Sequence, residues 1–279
     1  MAATLAWNRY GKSSVRLVKV RRATEPTEIV DLTIDVALEG AFDRVYTAGD
    51  NSACLATDTM KNTVYAFARV EPLDHVEAFA SKLAEYFSEQ PGVSLARVQA
   101  AEHPWTRLGA HAFARAGEEE WTTAATCDGG RLSIASGLRG LVVLKTADSA
   151  FSGFPRDCYT TLPETRDRIL STSITATWNY ADGFDDFAKR DAVRTALVGT
   201  FAGHKSESVQ QTLYAMGEAA LAACDGVIDI QLALPNRHHL LVDLAPFGLD
   251  NPNEIFVATD QPYGLIEARI SRTPRDGRS

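Results

Sequence analysis

The stretch TAGDNSACLATDTMKNTVY, Thr47 to Tyr65, sets Thr57 and Asp58 at the head of an amphipathic segment. Met60, Val64 and Phe67 recur at i, i+4 and i+7, which predicts a helix opening here with Thr57 or Asp58 in the capping position. The free backbone N–H groups of such a start attract anions. An ordinary helix cap is the plainer use of the same residues, so the segment gains chemical meaning only from its companions. The chain has no GxGxxG, GxxxxGK[ST], GxSxG or HExxH, which removes the usual support for dinucleotide, P-loop, hydrolase-elbow and zincin chemistry. His238 and His239 are adjacent, and on a strand their side chains point to opposite faces, so together they cannot hold one metal. Cys54, Cys127, Cys158 and Cys224 are scattered without CxxC spacing, which suggests neither a zinc site nor a disulfide framework and predicts reduced thiols. The expectation is chemistry with no metal and no cofactor.

The bulk composition narrows the partners. A chain of 279 residues can bury roughly three quarters of its unfolded surface in one large or two modest domains. Its net charge of -8 argues against a nucleic-acid partner, which calls for a basic face. The short basic run from Arg16 to Arg22 reads as a solvated strand face. No apolar run approaches the roughly 18 residues of a membrane span, and MAATLAWNRYGK is too short and polar for a secretory signal. The terminal DGRS carries no SKL peroxisomal address, so a cytoplasmic, bacterial-type protein is expected.

The elements that must position these residues repeat. Leu32, Ile34, Val36 and Leu38 alternate as a strand, with Val15 and Leu17 placed to face them across a hairpin. Two helices follow: the one near Thr57, and one from about Asp74 to Gln90 with a capping box at Asp74 and Glu77, a stripe of Val76, Phe79, Ala80, Leu83 and Phe87, and a Pro91-Gly92 stop. The second half repeats the plan. Strands at Leu141 to Leu144 and Ile174 to Tyr180 precede a helix from about Asp185 to Phe201 and another striped by Val209, Leu213, Met216 and Ala220. Strands return at Ile228 to Leu234 and at His238 to Leu244, with Pro235-Asn236 as turn chemistry between them. This order suits an α+β fold of antiparallel sheets with helices on one face, whose exposed edges favour pairing between subunits.

Three further stretches, YGKSSVRLVKV (Tyr10 to Val20), SAFSGFPRDCYTTLPETRDRIL (Ser149 to Leu170) and LPNRHHLLVDL (Leu234 to Leu244), together with the tail NPNEIFVATDQPYGLIEARI, resemble urate oxidase (uricase). Only residues from about 92 to 135 look unlike that family. The resemblance implies the tunnelling fold (T-fold), with tandem modules at 1–136 and 137–279, assembled as a homotetramer with active sites at subunit interfaces. It implies oxidation of urate by dioxygen to 5-hydroxyisourate and hydrogen peroxide, without a cofactor. It also assigns roles. Lys12, Thr57 and His238 match a proton relay, a lysine being able to deprotonate the substrate only when burial lowers its pKa. Phe151 matches the ring on which the purine stacks, and Arg168 the planar cation that grips its rim, although locally each reads as a core phenylalanine or a surface ion pair. Gln210 matches the glutamine closing the opposite rim, Val209 a pocket wall that lends its N–H, and Leu162 a further apolar wall. Asn236 with Thr57 matches the pair holding dioxygen, and Asp58 serves through its backbone N–H. A T-fold enzyme acting on a pterin or GTP would bring an anchoring glutamate and often a zinc set, and neither constellation is visible. A non-catalytic purine-binding relative would be expected to lose the relay, yet Lys12, Thr57 and His238 are all present.

Overall fold

The computed structural model describes residues 3–273. The start of the MAATLAWNRYGK segment at residues 1–2 and the DGRS terminus lie outside them. The chain divides into two compact units: Met1–Leu138 with Trp178–Ala188, and Arg139–Thr177 with Lys189–Ser279.

In the first unit β1 (Tyr10–Arg21), β2 (Glu28–Gly40), α1 (Asp43–Ala48), α2 (Thr57–Val70), α3 (Val76–Ser88), β3 (Val93–Glu102), the short β4 (Trp105–Arg107) and β5 (Phe113–Arg115), β6 (Glu120–Asp128) and the start of β7 (Arg131–Lys145) follow one another. The main sheet runs β1-β2-β3-β6-β7, and the first three pairings are antiparallel. The alternation in β2 does what its period dictates. Leu32, Ile34, Val36 and Leu38 are all buried, and Leu17 and Val15 stand opposite Leu32 and Ile34. Helices α2 and α3 cover that face with Met60, Val64, Phe79, Leu83 and Phe87, each fully buried side chain contributing about 1.5–3 kcal/mol against exposure.

Both helix starts differ from the expected caps. Helix α2 has Ala56 at the N-cap and no side-chain cap, with Thr57 and Asp58 as its first two residues. The Asp58 carboxylate turns forward instead to Lys61 and Asn62, one turn along. Helix α3 starts at Val76 behind His75, because Asp74 pairs with Arg21 at 2.9 Å and the buried Glu77 accepts from Ser136 Oγ. The basic run is used within the fold: Arg16 pairs with Asp31, Lys19 donates to the Glu71 carbonyl, and Arg21 donates to Glu28.

The second unit holds the end of β7, most of β8 (Leu170–Tyr180), α4 (Arg190–Gly203), α5 (Val209–Ala223), β9 (Val227–Leu241) and β10 (Phe256–Ser271). Its strand order is β7-β8-β9-β10, with α5 against β9 and β10. Helix α4 begins five residues later than its sequence signal at Asp185. Just before it, in the first unit, the rings of Tyr180, Phe184 and Phe187 cluster, with centroids 4.9 and 5.4 Å from Tyr180, and hold the chain in a tight turn. Strand β9 runs straight through Pro235-Asn236, so no turn forms there. A proline fits inside a strand where its missing N–H is not required by a neighbour, and Leu265 stands opposite it.

Arg272 closes the far end of α5. Its guanidinium donates to the carbonyls of Leu221, Cys224 (2.9 Å) and Val227 (2.7 Å), which are among the orphan acceptors of a helix end and the strand that follows. Arg272→Ala should cost about 1–3 kcal/mol and lower Tm by roughly 2–8 °C in a calorimetric scan. An unchanged Tm would show that water replaces the guanidinium without loss.

Candidate functional site

The residues singled out in the sequence fall into two groups, one in each unit. In the first, Lys12 lies on β1 opposite Val36, half-buried, and Thr57 and Asp58 form the first turn of α2, the helix packed against β1. Since no side chain caps α2, the N–H groups of this turn remain open to an acceptor from outside the helix. Asp58 is held below the usual carboxylate range by Lys61 first, with the Lys12 ammonium a further, weaker contributor, which places Lys12 within electrostatic reach of the helix start. Two residues before Lys12, the Tyr10 ring meets Phe42 edge-on at 4.8 Å. Burial, with the Cys54 thiol beside it, pushes the Tyr10 phenol up to about 12. Tyr10 was not singled out by its sequence; only its alternation with Lys12 along β1 marks it.

In the second unit Phe151 and Thr165 exchange backbone hydrogen bonds of 2.8 and 3.0 Å, which clamp the intervening loop and leave Arg168 three residues on. The Arg168 guanidinium carbon sits 5.5 Å from the Phe151 ring centroid, within cation–π range. Arg168 is half-buried, desolvation lowers its pKa, and its buried Nε has no hydrogen-bond partner among the described residues. A guanidinium stays protonated in proteins, so this is an unused donor on a charged, planar fork. Phe154 stacks on Phe151 at 4.9 Å and 13°, a pairing that the SGFPRD segment did not announce. Leu162 lies on the exposed part of the loop, half exposed itself.

The Phe151 segment is stitched to the lead-in of α5. Ala150 N–H donates to Ser206 O at 2.7 Å and Ser206 N–H to Asp148 O at 2.9 Å. Helix α5 then starts at the buried Val209, capped by Ser208, whose Oγ accepts from Gln211 N–H at 3.1 Å, while Gln210 is exposed in the same open turn. Asn236 and His238 are half-buried two residues apart on β9, hence on one face, opposite Gly264 and Thr259 of β10. The register shifts between these pairs, an irregularity of the kind that re-aims side chains beside binding sites. His239 takes the other face, with Nδ1 3.2 Å from Arg237 O. Among the described residues no three His, Cys, Asp or Glu side chains come together as a metal site.

Each unit thus pairs antiparallel sheet with helices on one face; the first carries a lysine near an open helix start, and the second an aromatic face, a planar cation and an amide. This is the layout of a T-fold protein. A urate oxidase from Bacillus sp. TB-90 shares the fold, with a TM-score of 0.82 over 95% of this chain and 100% of that one at 20% identity. The chain belongs to the uricase family, the urate oxidases: the Uricase family model matches residues 8–126 and 134–267. Uricase from Arthrobacter globiformis is 47% identical over 272 residues, covering 96% of this chain and 90% of that protein. The crystal structure of the Arthrobacter globiformis uricase superposes with a TM-score of 0.94, covering 100% of this chain and 98% of that one. The family match corrects the expectation of divergence over 92–135. It is interrupted only at 127–133, the tight connection between β6 and β7, where Gly129 and Gly130 adopt φ of 54° and 83°.

Proposed function

We propose that this chain converts urate, dioxygen and water to 5-hydroxyisourate and hydrogen peroxide without metal or flavin, as a cytoplasmic homotetramer with active sites between subunits. The observation that carries the reading is the Phe151–Arg168 pair with its unpartnered, buried Nε. A flat anion laid on the ring brings its rim acceptors to the guanidinium fork. Gln210 then closes the opposite rim, with Val209 and Leu162 as apolar walls and the Val209 N–H as a further donor. Lys12 and Thr57 take protons from the substrate, the threonine passing them because a hydroxyl both donates and accepts. His238 tunes that relay, Asn236 and Thr57 hold dioxygen and later water above the purine plane, and Asp58 contributes its backbone N–H.

Ground-state dioxygen is a triplet, and most oxidases therefore recruit a flavin or metal to pass single electrons. Doubly deprotonated urate can donate the electron itself, which leaves the protein to supply deprotonation, stacking and a dry slot. Support for the assembly comes from β1 and β10, each paired on one side only, and from the half-exposed Val18, Val20, Val257 and Leu265 along them. The tandem modules at 1–136 and 137–279 belong to this reading. None of the described helices is long and apolar enough to cross a membrane.

Metal-stripped protein should consume urate at an undiminished rate, followed by the loss of urate absorbance, with one peroxide released per urate. Activity abolished by chelation and restored by a single metal would overturn the cofactor-free mechanism.

A further inference from the structure

The geometry points to Asp35 as a positioning residue for Lys12, acting through a bulge in β1. Simple alternation along a strand sends residues of odd separation to opposite faces. Lys12 and Val15 are three apart, yet their partners on β2, Val36 and Ile34, are two apart and both lie in the core. Opposed side chains in a ladder share a face, so Lys12 and Val15 both point to the side covered by α2. The difference is made up by Ser13 and Ser14, which together oppose the single residue Asp35. Without the extra residue, a β1 anchored in the core by Val15 and Leu17 would turn Lys12 to the face away from Thr57 and Asp58.

A bulge leaves an unpaired backbone donor and needs something to hold it. Here Ser14, a non-glycine residue, adopts a φ of 58°, in the left-handed region, and its N–H donates to Asp35 Oδ1 at 2.6 Å. The carboxylate therefore satisfies the orphan group and fixes the reset of alternation at this point. Gly11 holds the other side of Lys12: a Cβ there would lie 1.9 Å from Val36 O, so the strands approach at this pair more closely than any side chain permits. Asp35 itself lies on the sheet face away from the helices, half-buried, in a cavity of about 270 Å³ that Arg9, Ser13, Arg97 and Gln99 also line. It is too far along the fold's other face to be a member of the relay; its hydrogen bond aims one.

The inference rests on the proposed relay role of Lys12, so Lys12→Met is measured beside Asp35→Ala and Asp35→Asn. Asp35→Asn keeps an acceptor for Ser14 N–H and should retain kcat within about threefold, whereas Asp35→Ala should lose about 10- to 100-fold in kcat, with KM for urate within threefold and a displaced pH profile of kcat. Xanthine, a flat purine able to compete for the same stacking, should inhibit the wild type and all three variants alike. Near-wild-type turnover in Lys12→Met would sink the relay itself. A dead Lys12→Met with Asp35→Ala matching wild type in kcat and pH profile would overturn the positioning role alone. Equal losses of Tm and kcat in both Asp35 variants, with unmoved pH profiles, would reduce Asp35 to a structural residue and overturn it too.

Discussion

Thr57→Ala and Arg168→Ala proteins, each inactive alone, should regain urate oxidation when unfolded together and refolded as mixed tetramers. Thr57 stands at the open start of α2 in the first unit, and Arg168 beside Phe151 in the second. Under the proposed assembly one subunit's Thr57 serves a neighbour's Arg168, so in a random mixture of equals roughly a quarter of the sites are undamaged. Alone, Thr57→Ala should lose on the order of 10² to 10⁴ in rate, the usual worth of positioned proton transfer. It should still bind purine analogues, since the ring and the guanidinium fork are untouched. The substitution should not unfold the protein, because Thr57 does not cap α2 by its side chain. Hybrid tetramers verified by mass spectrometry that stay dead would refute the shared site and return Thr57 to an ordinary first-turn residue.

That test turns on a detail the sequence stated only in part. The i, i+4, i+7 stripe of Met60, Val64 and Phe67 marks a helix reliably because apolar spacing is what packing against β1 and β2 demands. The capping position was not legible, since Asp58 can serve the helix start or pair with Lys61, and only the fold decides between them. Strand alternation told the core face of β2 correctly for the same reason that the stripe worked. It could not reveal the bulge at Ser13-Ser14, where the alternation that sequence reading relies on is itself broken. Pro235-Asn236 misled in the opposite sense: a dipeptide with turn chemistry is carried inside β9 by the ladder around it. Val209 was legible as the first apolar rung of α5, and it is buried at the helix start as that spacing demands. What remained hidden was contact across long spans of chain, such as the Ser149–Ser206 bridge that ties the Phe151 segment to the lead-in of α5.

Arg168→Lys should raise KM for urate by about 10- to 100-fold while the oligomeric state and Tm stay as they are. The replacement keeps the charge, so a simple attraction to an anion would survive it. What it removes is the planar pair of donors, including the buried Nε that finds no partner among the described residues. Losing one charge-assisted hydrogen bond to a desolvated acceptor costs about 1.5–3 kcal/mol, and the urate atom left unpaired in a dry site has no water to replace it. Burial already disfavours a charge at this position, as the lowered Arg168 pKa shows, and a lysine ammonium, more strongly hydrated and free to lose its proton, would suffer more. Lysine also forfeits the guanidinium's cation–π contact with the Phe151 ring, 5.5 Å from its centroid. Phe151→Ala should weaken binding more modestly, because Phe154, stacked on it at 13°, remains to offer a nearly parallel aromatic surface. Steady-state kinetics separate the outcomes. A KM near the wild-type value in Arg168→Lys would mean that charge alone holds the substrate, and the fork geometry on which the site was argued would have to be abandoned.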